Sequence, residues 1–389
     1  MKPPATFYDV CTVSLTRGGE ELCGDHSKVL RTPDQTIVVM ADGMGSGVKA
    51  HILARLTTEI FVTMLRESAS LPDVMETVTA TLPTCKVRGV AYAAFVVLQI
   101  RHATREFRLV NCDCPPAFLV KDGQVTAAYS RTKIYHGKSL NVAEGRLAEG
   151  DFIGIMSDGV VGAGPGRILN PAWNWDRIRA WLQNRVEGRA RSAEDLTRWV
   201  MDETQRLYNN DPGDDATFLG VLARPPRRLM VFTGPPADKN RDEDCVRRLV
   251  EFDGRKAVCG GTTGNLVADY LGELCPMDLS TGDENVPPIS YLSGVDLLTE
   301  GILTLAWTLQ LLQSCQGEIG KLTYHRNGAA LLARELLQAD SIFFLAGESV
   351  NPHYQNPMLP RSVSIRQNLV TQIAAQLVRF NKTVETEWC

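Results

Sequence analysis

Aspartates recur in three short clusters in the N-terminal part of this chain, each beside an apolar run. The clusters are Ala41-Asp42-Gly43-Met44-Gly45-Ser46-Gly47, Met156-Ser157-Asp158-Gly159 and Asp214-Asp215-Ala216-Thr217. A fourth candidate, Asp25, follows Gly24 shortly before the first cluster. Hard divalent cations prefer oxygen ligands on a stiff scaffold, and the ends of buried strands provide one. Four such carboxylates predict a site for two metal ions, in outline a hydrolytic site for a phosphate ester.

The elements predicted to position these aspartates are strands and two helices. Apolar runs predict strands at 11–16, 27–30, 36–40, 91–100, 106–110, 117–120, 125–129, 152–156 and 218–222. After Gly47 the apolar spacing becomes helical, and a helix is expected over 48–66. A second helix is predicted over 73–82, with Asp73 as its N-cap.

The length of 389 residues exceeds the size at which one hydrophobic core usually keeps growing, so two domains are expected. The strongest boundary is Arg224-Pro225-Pro226-Arg227-Arg228, where prolines and charges separate two apolar strands. The prediction is therefore one domain over 1–224 and a second over 225–389. Strands alternate with helices beyond the boundary, which predicts a smaller α/β domain with a parallel sheet.

Composition narrows the classes of partner. The net charge of −4 and the pI of about 5.9 argue against nucleic acid, because phosphate binding needs a basic face. No segment approaches the roughly 18 apolar residues of a membrane span, and the first residues lack an apolar secretory signal. The ten cysteines form no CxxC pair, which favours reduced thiols, with a soft-metal or redox role for Cys112 and Cys114 as the alternative. We therefore expect a cytoplasmic protein without a membrane or nucleic-acid partner.

The order of the motifs Gly24-Asp25, Ala41-Asp42-Gly43-Met44-Gly45, Ser157-Asp158-Gly159 and Asp214-Asp215-Ala216-Thr217 resembles that of the metal-dependent (PPM, type 2C) serine/threonine phosphatases. The form Ala-Asp-Gly-Met-Gly-Ser-Gly looks most like the bacterial SpoIIE branch, and the similarity covers residues 6–223. The resemblance implies an α+β domain, a β-sandwich flanked by helices in an αββα arrangement. It also implies two Mn²⁺ or Mg²⁺ ions at one end of that sandwich.

Residue roles follow from the same resemblance. Asp42 would bridge the two ions, the Gly43 carbonyl would ligate one of them, and Asp158 and Asp214 would hold the other. Asp25 would act mainly through waters, and Asp215 would orient waters or hold a third, weaker ion. Asp25, Asp42, Asp158 and Asp214 would thus form the catalytic set. A water shared by the two metals would attack the phosphorus of a phosphoserine or phosphothreonine in a signalling protein. The alternative is a catalytically silent binding or regulatory module.

Two positions depart from the eukaryotic members of the family. Glu20 stands where those members carry an arginine for the substrate phosphate, so Arg17 or Lys28 would have to substitute. Met44 stands where they carry a histidine that protonates the leaving alcohol. His26 and His51 lie nearby in sequence and are interpreted as structural or surface histidines. Weak intrinsic activity is expected, and the two helices after Gly47 are either a covering layer or also an activation switch.

The second domain carries one candidate ligand loop, Gly260-Gly261-Thr262-Thr263-Gly264-Asn265, between a predicted strand and a predicted helix. Such a loop either binds an anion at the helix N-terminus or is a tight turn. Acidic side chains in 278–283 and 296–300 and the polar loop 351–357 are candidates for the same cleft. The hypothesis is a module that senses a small-molecule effector. The oligomeric state is left open, with a homodimer as one alternative.

Overall fold

The computed structural model describes residues 6–81, 93–129, 131–135, 138–165, 168–186, 192–322, 326–349 and 365–389. The chain divides into two compact units, residues 4–225 and residues 226–389. None of the helices in these described ranges has the length and apolar content that a bilayer crossing requires.

The first unit contains eleven strands and four helices among its described residues. The strands are β1 (Phe7–Leu15), β2 (Asp25–Arg31), β3 (Gln35–Gly43), β4 (Ala93–Arg101), β5 (Glu106–Cys112), β6 (Phe118–Lys121), β7 (Gln124–Ala127), β8 (Arg131–Tyr135), β9 (Lys138–Arg146), β10 (Phe152–Met156) and β11 (Ala216–Arg224). The helices are α1 (Gly47–Arg66), α2 (Leu71–Thr81), α3 (Trp175–Val186) and α4 (Ala193–Leu207). One sheet has the order β1-β11-β10-β6-β7 and the other has the order β2-β3-β4-β5-β9-β8. Neighbouring strands are antiparallel in both.

Alternation along the strands explains how the two sheets pack. Val38 and Met40 of β3 lie in the core between the sheets, together with Ile155 of β10. Val39 points to the opposite face and packs with Phe61 of α1, because successive side chains of a strand face opposite ways. Helices α3 and α4 cover the outer face of the other sheet. The layers are helix, sheet, sheet and helix, which confirms the predicted αββα fold.

The helix pair after the first aspartate cluster begins and ends close to the predicted positions. The prediction of Asp73 as N-cap is wrong, because α2 begins at Leu71 and Asp73 lies in its first turn. The Asp73 N–H donates to Ser70 Oγ at 3.4 Å, and the Ser70 hydroxyl donates to Asp73 Oδ2 at 2.7 Å. The first of these bonds is the N-cap half of a capping box, and the second joins the two side chains directly. Pro72 is accommodated because the first turn of a helix does not need its N–H.

The second unit is built on one mixed sheet. Its strands are β12 (Arg228–Thr233), β13 (Arg255–Cys259), β14 (Met277–Asp278), β15 (Ile289–Leu292), β16 (Val295–Thr299), β17 (Ser341–Ala346) and β18 (Thr383–Trp388). Its helices are α5 (Asp242–Val250), α6 (Gly261–Leu271), α7 (Ile302–Cys315), α8 (Gly328–Gln338) and α9 (Ile365–Arg379). The strand order is β14-β15-β16-β13-β12-β17-β18.

The predicted α/β class is confirmed, and the predicted parallel pairing holds from β16 to β18. The edge strands β14 and β15 are antiparallel instead. The cause for β15 is the two-residue connection Ser293-Gly294, which is long enough for a hairpin and too short for a parallel crossover. Helices α5 and α6 pack on one face of the sheet, and α7, α8 and α9 pack on the other.

Candidate metal centre

Four segments bring the aspartates predicted from the sequence to one end of the sandwich. Strands β2 and β3 pair with Asp25 directly opposite Asp42. Asp158 comes two residues after the end of β10, and Asp214 comes two residues before β11. Strands β10 and β11 are neighbours in the other sheet. The site is therefore assembled from the strand ends of both sheets.

Asp42 is at the centre of this cluster. Its carboxyl group is within hydrogen-bonding reach of Asp158, and Asp25 and Asp214 are close enough to act on it electrostatically. Burial, and then repulsion from Asp25 and Asp158, raises the pKa of Asp42. Burial and then Asp158 likewise raise the pKa of Asp214. A bound cation would relieve this concentration of negative charge.

Asp25 is buried and anchored through Ser157. The Ser157 hydroxyl donates to Asp25 Oδ2 at 2.7 Å and accepts the Thr217 N–H at 2.8 Å. Burial raises the pKa of Asp25, with a smaller contribution from the Asp215 carboxylate. The other oxygen, Asp25 Oδ1, is buried and has no hydrogen-bond partner in the described part of the chain. That oxygen is available to a metal ion or to a water of its shell.

The neighbouring aspartates Asp214 and Asp215 face different members of the cluster. Asp215 is buried and acts on Asp25, whereas Asp214 is half-buried and acts on Asp42. Asp215 Oδ1 accepts the Arg17 N–H at 3.1 Å, and its Oδ2 has no partner among the residues the structure describes. Asp214 Oδ1 accepts the Asp215 N–H at 3.0 Å. Asp215 therefore acts beside Asp25, and Asp214 acts beside Asp42, within the same cluster.

This donor set fits a hard divalent cation that keeps part of its water shell. Within the described ranges, no three His, Cys, Asp or Glu side chains converge closely enough to hold a metal ion by themselves, so waters would have to complete its coordination. Mg²⁺ usually binds through one or two carboxylates and several waters, and Mn²⁺ accepts the same oxygen ligands. Gly43, next to Asp42, packs closely against α1, since a Cβ there would overlap the carbonyl oxygen of Ala50. The residues thus suit Mg²⁺ or Mn²⁺ better than a four-coordinate zinc ion.

Arg17 lies beside the loop that carries Asp42. Its Nη1 donates to Ser46 Oγ at 3.3 Å, and Ser46 Oγ donates to Glu20 Oε1 at 3.1 Å. Lys28, the other cation considered from the sequence, forms an ion pair with Glu59 of α1. Of the two cations, Arg17 is therefore the one placed at the metal centre.

Each of the two nearby histidines uses its Nδ1 for a contact within the fold. His26 Nδ1 is hydrogen-bonded to Thr58 Oγ1 at 2.7 Å. His51 Nδ1 donates to the Cys23 carbonyl at 2.9 Å. The two rings meet edge to face, with centroids 5.9 Å apart, and join α1 to β2. Burial, and then the charge of His51, lowers the pKa of His26.

The candidate loop of the second unit lies where β13 meets α6. Gly260 is the N-cap of α6 and has a φ of 130°, a conformation that favours glycine. A cleft of about 330 Å³ is lined by four of the predicted residues, namely Gly260, Gly261, Thr262 and Thr263. Gly264 instead packs against Leu298, and Asn265 is exposed on α6.

The acidic segments of the second unit have different surroundings. Glu300 lines the same cleft. Asp278 accepts the Ser280 N–H and the Tyr291 hydroxyl. Asp296 accepts the Lys256 N–H at 2.8 Å. The predicted polar loop 351–357 lies outside the described residues.

Two supporting residues were missed by the reasoning from sequence. Ser157 orients Asp25, and the Tyr208 hydroxyl donates to the Gly159 carbonyl at 2.7 Å, next to Asp158. The position of Ser157 inside the second aspartate cluster was an available signal. Tyr208 gave no signal, because its contact joins residues 49 positions apart that only the fold brings together.

Comparison with known proteins relates the first unit to one family. Residues 32–224 match the family model of Stage II sporulation protein E (SpoIIE). Stage II sporulation protein E of Bacillus subtilis (strain 168) is 21% identical over 212 residues, which is 53% of this chain and 24% of that protein. The chain therefore spans about a quarter of the length of that curated relative.

Solved structures show the same fold. The RsbU and RsbW domains of Rv1364c from Mycobacterium tuberculosis match with a TM-score of 0.50 and 20% identity, over 64% of this chain and 69% of that chain. The PP2C phosphatase domain with a regulatory fragment of SpoIIE from Bacillus subtilis matches with a TM-score of 0.48 and 18% identity, over 57% of this chain and 65% of that one. Residues 32–224, just under half of the chain, therefore form a SpoIIE-like domain, and its fold is shared with the solved RsbU and RsbW domains.

Proposed function

We propose that this chain hydrolyses the phosphomonoester of a phosphoserine or phosphothreonine in a signalling protein, with two Mn²⁺ or Mg²⁺ ions as cofactors. The observation that carries the proposal is the convergence of aspartates from four segments at one end of the sandwich. Two of their buried oxygens, one on Asp25 and one on Asp215, have no hydrogen-bond partner among the described residues.

The residues that would hold the ions are carboxylates: Asp25, Asp42, Asp158, Asp214 and Asp215. When bound, two such ions lower the pKa of a shared water and neutralise charge on the phosphoryl oxygens. The protein's own contribution is to fix these carboxylates on strand ends, where they change little in position between one turnover and the next.

Arg17 binds the substrate phosphate in this proposal. Its backbone N–H donates to Asp215 and its Nη1 donates to Ser46. Its positive charge also acts electrostatically on the carboxylate of Asp214. The remaining guanidinium donors are fixed in a planar fork, which matches the oxygens of a phosphate. Arg17 would therefore do the work that an arginine at the position of Glu20 does in the eukaryotic relatives.

The leaving hydroxyl takes its proton from solvent rather than from a side chain. Met44 has no proton to give, and the hydrogen bonds from Nδ1 of His26 to Thr58 and from Nδ1 of His51 to Cys23 support structural roles for both histidines. A missing general acid lowers the rate by about 10²- to 10⁴-fold in other enzymes. This supports weak intrinsic activity towards a substrate that other contacts must position.

The site suits a phosphate group carried on a large molecule. Asp158 is exposed and Asp42 is half-buried, so the cluster opens onto the surface of the sandwich. A phosphorylated loop of a protein can reach such a site without entering an enclosed pocket.

The experiment is hydrolysis of an aryl phosphate and of phosphoserine and phosphothreonine peptides, with and without Mn²⁺. We expect Mn²⁺-dependent release of phosphate and a loss of about 100-fold or more in Asp42→Asn and Asp158→Asn. The matched control is Asp122→Asn in the exposed hairpin turn, where φ is +49° and asparagine is well tolerated. Hydrolysis that is absent with every metal and every phosphopeptide would favour the silent module instead.

A further inference from the structure

The second unit has a cleft of about 330 Å³ at the carboxyl edge of its parallel strands. The residues that line it follow three of these strands: Pro235 after β12, Gly260–Thr263 after β13 and Glu300–Leu303 after β16. Helices leave the sheet towards both faces from this edge. Open α/β sheets bind small ligands in this position, and the volume lies within the range of such sites.

Two helix N-termini meet at this cleft, and a side chain from the first turn of a third helix also lines it. Gly260 is the N-cap of α6, Gly301 is the N-cap of α7, and Arg366 is the second residue of α9. The first two are adjacent, since a Cβ at Gly301 would lie 3.4 Å from the Cα of Gly260. Neither Gly260 nor Gly301 offers a side chain to cap its helix. The first-turn N–H groups and the positive ends of two helices are therefore directed at one space.

Arg366 adds a full positive charge to the cleft. Its guanidinium is half-buried, and Nη1 donates to the carbonyls of Gly347 at 3.1 Å and Ser349 at 3.2 Å. These bonds fix its position without neutralising it. No ion pair involves Arg366 among the residues that the structure describes. Burial lowers its pKa, as expected for a cation without a carboxylate partner. A partly buried cation that has carbonyl partners but no ion pair among the described residues is an observation independent of the helix ends, and it favours an anionic ligand.

Glu300 restricts the kind of anion. Its Oε1 is near α6, 3.2 Å from where a Cβ on Gly261 would stand. A carboxylate repels a phosphate group but accepts a hydrogen bond from a hydroxyl. The ligand therefore needs an anionic end for Arg366 and the helix N-termini, and a hydroxyl group for Glu300.

We propose that this cleft binds a small phosphorylated polyol or sugar, with its phosphate at Arg366 and the N-termini of α6 and α7 and a hydroxyl at Glu300. This site is separate from the metal centre of the first unit and would stand if the phosphatase proposal failed.

The test is calorimetric titration of the full chain with ribose 5-phosphate, after chelation and dialysis into metal-free buffer. Removing metal first keeps the phosphate from binding at the aspartate cluster. We expect ribose 5-phosphate to bind at least about tenfold more tightly than inorganic phosphate, and ribose alone to show no binding at the same concentrations. A wild-type chain that does not bind ribose 5-phosphate, or binds it no better than inorganic phosphate, would overturn the proposal.

Substitutions of residues that line the cleft test whether ribose 5-phosphate binds there. Arg366→Gln should weaken it by about 100-fold, whereas Arg379→Gln, an exposed residue in the last turn of the same helix, should leave it unchanged. Gly261→Ala adds a methyl group near Glu300 at a helical position that tolerates alanine, and should also weaken binding while the chain stays folded. Thermal unfolding of each ligand-free variant shows whether it is folded. Equal affinity in wild type and in folded Arg366→Gln and Gly261→Ala would place the ligand elsewhere and contradict the assignment.

Discussion

Asp42, at the end of a strand in one sheet, lies within hydrogen-bonding reach of Asp158, which follows a strand of the other sheet. Burial, and then the neighbouring carboxylates, raise the pKa of Asp42, so ionising it in the folded chain costs free energy unless a counter-charge is present. Metal-free, the site therefore works against the stability of the sandwich. A cation at this position would reverse the effect.

The first prediction concerns stability without metal. Asp42→Asn removes one charge from the cluster and provides an amide N–H that can donate to Asp158. We expect the metal-free variant to unfold about 2–4 °C above the metal-free wild type at neutral pH, the shift that about 1 kcal/mol produces in a domain of this size. Addition of Mn²⁺ should raise the melting temperature of the wild type and not that of Asp42→Asn. An equal or lower melting temperature for metal-free Asp42→Asn, with Asp122→Asn unchanged, would show that the cluster carries no such repulsion.

The second prediction concerns pH. The pKa values of Asp25, Asp42 and Asp214 are raised in the folded state by burial and by neighbouring carboxylates. The metal-free folded chain therefore holds protons that the unfolded chain has already released, and its stability falls as the pH rises from about 4 through neutrality. The difference in unfolding free energy between Asp42→Asn and wild type should grow over this range. Denaturant titrations of both proteins at several pH values measure this difference in unfolding free energy. A difference that stays constant with pH would show that the pKa of Asp42 is not raised in the folded state.

The third prediction concerns Arg17. Replacing it by alanine removes the phosphate-binding cation, and we expect kcat/KM to fall by about 100-fold, with a smaller loss of about tenfold in Arg17→Lys. Lys28→Gln is the matched control, because Lys28 is paired with Glu59, and should change kcat/KM by less than about twofold. Steady-state kinetics on a phosphopeptide give these values. Similar losses in Arg17→Ala and Lys28→Gln would mean that Arg17 has no specific role.

The fourth prediction concerns the histidines. Asparagine can keep the hydrogen bonds that His26 makes to Thr58 and that His51 makes to the Cys23 carbonyl. If both histidines are structural, His26→Asn and His51→Asn should each change kcat by less than about threefold, well below the effect of losing a general acid. A loss above about 100-fold in either variant, with Mn²⁺ binding intact, would identify that histidine as the proton donor instead.

Much of the fold was predictable because its signals are local. Apolar alternation and runs located β3, β10 and β11, and the change to helical spacing after Gly47 located α1. The two compact units divide between Pro225 and Pro226, and the assignment of a separate domain to each stays a prediction. The N-cap of α2 was misplaced because Ser70 and Asp73 are both good capping residues, and only the hydrogen bonds distinguish them.

The site was predictable only as a set of residue types. The motifs name Asp25, Asp42 and Asp158, but spacing cannot show that Ser157 orients Asp25 or that Ser46 holds Arg17. Each of these contacts joins residues far apart in sequence, and each depends on the register between strands. The sequence likewise could not show the importance of Arg366, because only the fold half-buries its guanidinium at the edge of the cleft.

Titration of the metal-stripped chain with Mn²⁺, followed by heat and by aryl phosphate hydrolysis in parallel, tests the dinuclear centre most directly. We expect each chain to bind about two Mn²⁺ ions, and we expect hydrolysis to appear as the second ion binds. In Asp42→Asn, both the heat of Mn²⁺ binding and the hydrolysis of the aryl phosphate should be lost. A wild-type chain that takes up no Mn²⁺, or an Asp42→Asn variant that binds as many ions with the same affinity, would contradict the account.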